Sequence, residues 1–362
     1  MNDLQIILYK RDYATVEEVL TDQVENLSFS TKLHGGFGMA SFTLGRNWLD
    51  SFIWLQNRQF YHLEIKDGAK TLFEGRLQTL KPYAGLIYIE AFGYWTSLKD
   101  QVENTAYNAN ADVVIKAALA HAPAINADQT NIAATGGPAI TSAANESYLD
   151  ISVQSLIDKL LNFGTAGGNQ WYFAVWEDRI PYMAAKSIST VDWNIRLGDL
   201  TDFKLRHSTQ DLWNSVYAIY SIAGVLNRTA VVNDATSVAR YGVTRLYAIP
   251  NLGDVVVAAA NAARNTFLAR FKDIHPVLSP FIVGDKVYDS DGIPFPSSWI
   301  RAGQVIRIGD LVPASGTLDA VSSDSFRTFY IVETNYDADR RENSLTVDSP
   351  SKNLDAVIER YI

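Results

Sequence analysis

Acid–base or metal chemistry in this chain would fall first to its five histidines, His34, His62, His121, His207 and His275. No pair has the spacing of a metal-binding helix such as H-E-x-x-H, so a surface or core position is expected for each. The stretch "HGGFG" at 34–38 has the glycine pattern of an esterase oxyanion loop. That chemistry needs a nucleophile in G-x-S-x-G between a strand and a helix, which the chain lacks, so a bend between strands is the expectation. "TGGPA" (135–139) and "TAGGN" (165–169) carry no Lys-Ser/Thr pair to hold a phosphate. "DSDG" at 289–292 begins like a calcium loop, but Ile300 stands where the bidentate glutamate should close it, which leaves an Asp-Gly turn. Forty acidic residues nominate no glycosidase pair, because the separation such a pair needs is spatial. Trp48, Trp54, Trp95, Trp171, Trp176 and Trp213 lie within apolar segments, where core and interface packing is expected before a sugar-binding face. The sequence therefore nominates no catalytic, cofactor-binding or metal-binding residue, and no cofactor.

The elements that would position any site are those of an ordinary folded chain. At 362 residues, 47% hydrophobic and 20% charged, the length predicts two or three domains. A net charge of −9 argues against a protein that grips nucleic acid, which needs concentrated Lys and Arg. Without cysteine there are no disulfides and no thiolate metal sites. The N-terminal "MNDLQIILYKRDY" lacks the pattern of a signal peptide, and no stretch reaches the ~20 apolar residues of a membrane helix. Synthesis in a cytosol and no membrane anchor are the expectations.

Period-two alternation predicts strands at "FYHLEIKDG", "FEGRLQTL" and "LIYIEAF", a meander ending in the short aromatic helix "GYWTSLK". "SVQSLIDKLL" predicts a helix capped by Ser152, and "QWYFAVWEDRIPYMAA" a hairpin tipped by Glu177 and Asp178. The small, polar stretch near 123–147 reads as a long exposed loop. "LWNSVYAIYSIAG" reads as a strand, "NDATSVARYG" as a helix capped by Asn233 and ended by Gly242, and 253–274 as the longest helix. Late in the chain, "QVIRI", "FYIVETN" and "NSLTVDS" repeat the order of the early meander, with a charged turn from Asp337 to Glu342. The pattern reads as two copies of one β-module separated by an α/β insertion. The boundaries drawn from it are 1–102, first β-barrel domain; 103–200, inserted α/β domain; 201–222 with 276–350, second β-barrel domain; 223–275, helical or α/β insertion; and 351–362, C-terminal tail.

Taken in order, "GGFGMASFTLGR" (35–46), "FEGRLQTLKPYAGLIYIEAFGYWTSLKD" (73–100), "LGDLTDFKLRHSTQDLWNSVYAIY" (197–220), "ATSVARYGVTR" (235–245) and "AGQVIRIGDL … FYIVETNYDADRRENSLTVDSP" resemble phage baseplate hub and tail-tip proteins. The resemblance implies an α+β, β-rich chain in which two similar β-barrel tube domains carry inserted α/β domains. It implies a non-enzymatic structural protein that assembles as a homotrimer, whose six barrels form a pseudo-hexameric ring adapting sixfold to threefold symmetry. Implied partners are a hexameric tail tube or distal tail ring on one side and a spike, fibre or tip protein on the other, with DNA passing unbound. The implied location is the virion tail tip, assembled in the host bacterial cytoplasm. Because the sequence ends soon after the second module, any lytic or receptor-binding function is expected on another polypeptide. A carbohydrate- or receptor-binding tail module and a tail-associated cell-wall hydrolase are the alternatives.

Overall fold

The computed structural model describes residues 4–348, except 84, 106–107, 135–139, 142–149, 162–170, 187–189, 208, 211, 251, 253–256, 275 and 312–327. The first sheet is built from β1 (Leu4–Tyr9), β2 (Val16–Val19), β3 (Val24–Lys32), β4 (Gly35–Gly45), β5 (His62–Asp67), β6 (Lys70–Tyr83) and β7 (Leu86–Phe92). Its ladder order is β2-β1-β5-β6-β7-β4-β3, all antiparallel. The predicted meander is present with its inward set intact: Leu63, Ile65, Phe73, Leu77, Ile87, Ile89 and Ala91 are buried in one core. Ile6 of β1 and Phe29 of β3 reach that same core from opposite ends of the ladder, so the sheet curls around it. Helix α1 (Trp48–Asn57) lies between β4 and β5, capped by Asn47, whose side chain accepts from the Asp50 N–H.

A 3-10 helix at Tyr94–Asp100 realises the predicted aromatic turn and leads to a small α/β unit. Its parts are β8 (Val102–Glu103), β9 (Asn108–Ala109), α2 (Ala111–Leu119), β10 (Ile140–Thr141), β11 (Ile151–Ser152) and α3 (Val153–Leu161). The hairpin of β12 (Trp171–Val175) and β13 (Pro181–Ala185) completes it. Ser152 caps α3 as expected, accepting from the Ser155 N–H at 3.1 Å. Leu156, Ile157 and Leu160 pack with Val114, Ile115 and Phe173 in a core separate from the first. The stretch expected to be a long exposed loop is partly ordered here. Ile125 and Ile132 are buried, Ile132 bridges Met183, and β10 pairs with β9. Its remainder, 135–139 and 142–149, lies outside the described residues, as do "TAGGN" and Gly164.

The chain then lays down β14 (Trp193–Arg196), β15 (Leu200–Thr201) and β16 (Leu205–His207). A separate four-strand layer follows: β17 (Ser215–Ile222), β18 (Val225–Arg228), β19 (Val232–Asn233) and β20 (Leu246–Ile249). Helix α4 (Ala235–Tyr241) is capped by Asp234, which accepts from the Ser237 N–H at 2.8 Å, not by Asn233 as expected; Gly242 ends it at φ 66°. Helix α5 (Val257–Phe271) covers β17 with Ala260, Ala263, Phe267 and Phe271. It stops short of Pro276, which opens β21 (Pro276–Leu278) beside β16.

The second sheet adds β22 (Phe281–Val283), β23 (Lys286–Tyr288), β24 (Pro294–Pro296), β25 (Val305–Gly309), β26 (Thr328–Asp337) and β27 (Glu342–Asp348). Its order is β24-β23-β14-β25-β26-β27-β22-β15. Strand β14, inside the stretch 103–200, and β15, which crosses its end, thus pair into the second sheet, β14 running parallel to β25. The core is again separate, with Ile306, Ile308, Phe329, Ile331 and Leu345 sealed within it. The fold is β-rich with few helices. Among the described residues neither ladder closes into a barrel by hydrogen bonding; the two curled sheets instead join through β3 and β26.

Candidate functional site

Among the described residues, those that could have done chemistry are dispersed, and each described histidine has a partner. His34 Nε2 meets Asp158 Oδ1 at 2.5 Å, with its ring edge-on to Trp95, while His121 Nδ1 meets Glu103 Oε2 at 2.9 Å. His62 Nδ1 and the Tyr94 hydroxyl share a 2.7 Å hydrogen bond. The side chain of His207, and all of His275, lie outside the described residues. Among the described residues no group of three or more His, Asp or Glu could hold a metal, and no helix is long and apolar enough to cross a membrane. Asp289 spends one carboxylate oxygen on the N–H groups of Asp291 and Ile293, which makes "DSDG" a side-chain-closed turn between β23 and β24. Trp54, Trp171 and Trp176 are buried and offer no flat face to a sugar. The glycines of "HGGFG" have a backbone role. Gly35 and Gly36 take φ of 116° and 86°, and a Cβ on Gly36 would stand 2.2 Å from the Val175 carbonyl oxygen, where β12 runs parallel to β4.

Three strongly shifted groups gather at one buried place, where the tip of the β12–β13 hairpin meets β5 and β6. Burial pushes Glu74 up to about 8, against an opposing hydrogen bond from the Asp178 N–H and with help from the nearby Glu64 charge. Burial likewise drives His62 down to about 3, with the Arg179 and Lys66 cations adding to it. Tyr94 is raised by the same desolvation. Asp178 and Arg179 take positive φ at the tip, and the Arg179 guanidinium lies 3.8 Å from the centre of the Tyr13 ring. Among the described residues no cleft reaches His62 or Glu74, which are 6% and 3% exposed. It is a latch that seats the hairpin on the first sheet. Strand alternation placed Glu74 on the polar face with Arg76 and Gln78, and its cover comes from a hairpin about a hundred residues later, which no local pattern could reveal.

The feature with the reach of a functional site is the seam between the sheets. Residues Ser28–Lys32 of β3 run antiparallel to Glu333–Asp337 of β26. Thr31 Oγ1 sits 2.7 Å from Thr334 Oγ1 and also accepts the Ala302 N–H at 2.8 Å. Phe29 packs on Tyr336 with ring centres 5.1 Å apart, and Lys32 pairs with Glu333 at 3.4 Å. The hairpin tip braces the same junction: Glu177 takes Arg301 of the second module at 2.8 Å and Lys70 of the first at 3.8 Å. Trp299 Nε1 donates to Asp67 across the divide at 2.9 Å. Backbone ladders, hydroxyl pairs and ion pairs of this kind join surfaces; they hold no nucleophile–base pair for a reaction.

No family model matches the chain, and no curated protein matches its sequence. Solved structures do match in fold. The 43 kDa tail protein of prophage MuSo2 from Shewanella oneidensis aligns with a TM-score of 0.59 at 13% identity, covering 98% of this chain and 99% of that one. The tail protein from Neisseria meningitidis MC58 gives 0.60 at 11% identity, covering 99% of each chain. Prophage tail protein gp18 from Listeria monocytogenes EGD-e gives 0.58 at 14%, covering 98% of each. Through practically its whole length, this chain has the fold of prophage tail proteins.

Proposed function

We propose that the chain is a structural, non-enzymatic hub at the tip or baseplate of a phage tail. Three copies form a ring of six curled β-modules, two from each chain, which stands on a sixfold tail tube and presents threefold symmetry to a spike, fibre or tip protein. The observation that carries this reading is the seam: two alike sheets in one chain are joined side by side, edge to edge, as neighbours in a ring would be. Similarity of fold to prophage tail proteins supports it. In this reading residues 1–102 form the first tube module, and 201–222 with 276–350 the second, which gains the strands at 193–201 and yields β17 to the separate layer under α5. The rest of 103–200, and 223–275 together with β17, are decorations outside the wall, and 351–362 is a tail. The two modules together act as the barrel-like wall, whose remaining edges neighbouring copies cover. A net charge of −9 suits a channel that DNA traverses without adhering. The protein would reside in the virion after assembly in the bacterial cytoplasm.

Native mass spectrometry of the purified chain across a concentration series tests the assembly. A species of three times the chain mass is expected to grow with concentration. A monomer that persists at hundreds of micromolar, alone and with a tail-tube partner, would contradict the reading.

A further inference from the structure

The two modules correspond residue by residue at the places that form the seam. In β6, the Leu77 carbonyl accepts the Phe60 N–H at 2.8 Å and the Leu77 N–H donates to Tyr61 at 2.9 Å; in β26, Ile331 makes the same two bonds with Gly303 and Gln304, at 2.8 and 2.9 Å. Each strand then carries one extra residue, a bulge between Leu77 and Thr79 against β7 and between Ile331 and Glu333 against β27. On the other flank, Val24 and Glu25 stand opposite Leu44 and Thr43 of β4, as Leu200 and Thr201 stand opposite Val283 and Ile282 of β22. Directly after each pair comes a non-glycine residue at positive φ, Asn26 at 55° and Asp202 at 57°. Strand β16 therefore occupies in the second module the place that Phe29–Thr31 of β3 occupies in the first.

Within the chain, that outer part of β3 is paired with the outer half of β26. The equivalent half of β6, Thr79–Tyr83, has β7 on one side and no strand on the other among the described residues. Strand β16 has β21 on one side and likewise no second neighbour there. Burial follows the same division. Thr334 and Tyr336 are 2% and 1% exposed under β3, whereas Leu80 and Pro82 in the matching positions are half-buried, and Tyr83 next to them is 60% exposed. Leu49 and Ile53 of α1, the helix that packs on β6, are exposed as well. A free strand edge flanked by apolar side chains in one module, and its complement left open in the other, is the arrangement of a joint that repeats.

We propose that β16 of one copy adds antiparallel to the outer half of β6 of the next copy, in the register that β3 holds on β26. The proposal rests on the ring reading above and names the surface that closes it. In that register Leu205 falls opposite Pro82, where Phe29 meets Tyr336 within the chain, and Lys204 falls opposite Tyr83, where Ser28 meets Asp337. The Gln78 carbonyl takes the place of the Val332 carbonyl, which accepts the Leu33 N–H at 2.7 Å. Pro82 brings no N–H donor, so the joint between copies has fewer backbone bonds than the joint within one and is the one that separates on dilution.

The chain contains no cysteine, so introduced pairs can be read without background. A full chain carrying Tyr83→Cys and Lys204→Cys, gently oxidised at a concentration where the native mass is that of a trimer, is expected to give disulfide-linked dimers and closed trimers on a non-reducing gel. Each single variant should stay free of closed trimers. The pair Ser28→Cys and Asp337→Cys, at the matching joint inside the chain, should lose both thiols while remaining one chain in mass. A native trimer whose 83/204 pair forms no bond between chains, or bonds only within one chain, overturns this interface and leaves the ring reading standing. A double variant and parent that both stay monomeric overturn the two together.

Discussion

Replacing Gly36 by alanine is expected to destabilise the protein by on the order of 4 kcal/mol, the largest effect of any single-methyl change at "HGGFG". Two costs add. The residue sits at φ 86°, which an L side chain rarely adopts, and the new Cβ would meet backbone rather than a movable side chain: Val175 O at 2.2 Å, N at 2.7 Å and C at 2.9 Å. Relief requires β12 to part from β4, which would loosen the hairpin and uncover the latch behind it. Two other glycines set the scale. Gly35, at φ 116°, would meet the Trp95 ring at 3.2 Å, which can shift, so a smaller loss is expected. Gly68, at φ 58° with open space around it, should cost only about 1 kcal/mol as alanine. Urea unfolding of the three variants checks the order; a Gly36→Ala protein no less stable than Gly68→Ala would contradict it.

The latch makes the second large prediction, in the dependence of stability on pH. Glu74 has its folded pKa raised from 4.5 to about 8, so folding takes up a proton there, and its contribution is complete below pH 4.5 and lost as pH rises through 8. His62 has its folded pKa lowered from 6.5 to about 3, so folding releases a proton, and its contribution is complete above pH 6.5 and lost as pH falls through 3. Between pH 4.5 and 6.5 the two slopes cancel, and the pair gives a plateau with a decline on each side. Glu74→Gln keeps the shape and removes the buried charge. It should abolish the decline above pH 6.5, leaving the variant more stable than the parent by on the order of 3 kcal/mol at pH 9. Urea midpoints from pH 4 to 9 measure this. A Glu74→Gln protein with the parent's alkaline slope would show that the carboxyl is ionised in the folded state.

What the sequence made legible was whatever short-range periodicity controls. The meander β5–β7, the hairpin β12–β13, the late hairpin β26–β27 and the capped helix α3 all bury one face of a regular pattern, and that pattern can be read along ten residues. Helix α1 escaped because "WLDSFIWLQN" is short and rich in aromatic and branched residues that also suit strands; the Asn47-to-Asp50 cap was its one clear signal. The cap of α4 was misplaced by one residue because Asn233 and Asp234 are chemically equal candidates, and only the backbone bend chooses between them. The seam was invisible for a different reason. Its partners lie some three hundred residues apart, and strand register at that distance depends on how two finished modules meet. The repeat of three strands pointed to two modules, but the bulges at Gln78 and Val332 that align them exist only in the ladder. Glu74 and the parallel pairing of β14 with β25 belong to the same class of long-range facts.

In the proposed ring each copy contributes two alike modules. Image reconstruction of the intact particle, carried far enough to trace strands at the tail tip, tests it most directly. Three copies of this chain are expected around the tail axis and six curled sheets in a continuous wall, with the β3–β26 contact and its counterpart between copies alternating around it. Six copies on the axis, or three copies contributing a single sheet each to the wall, would contradict it.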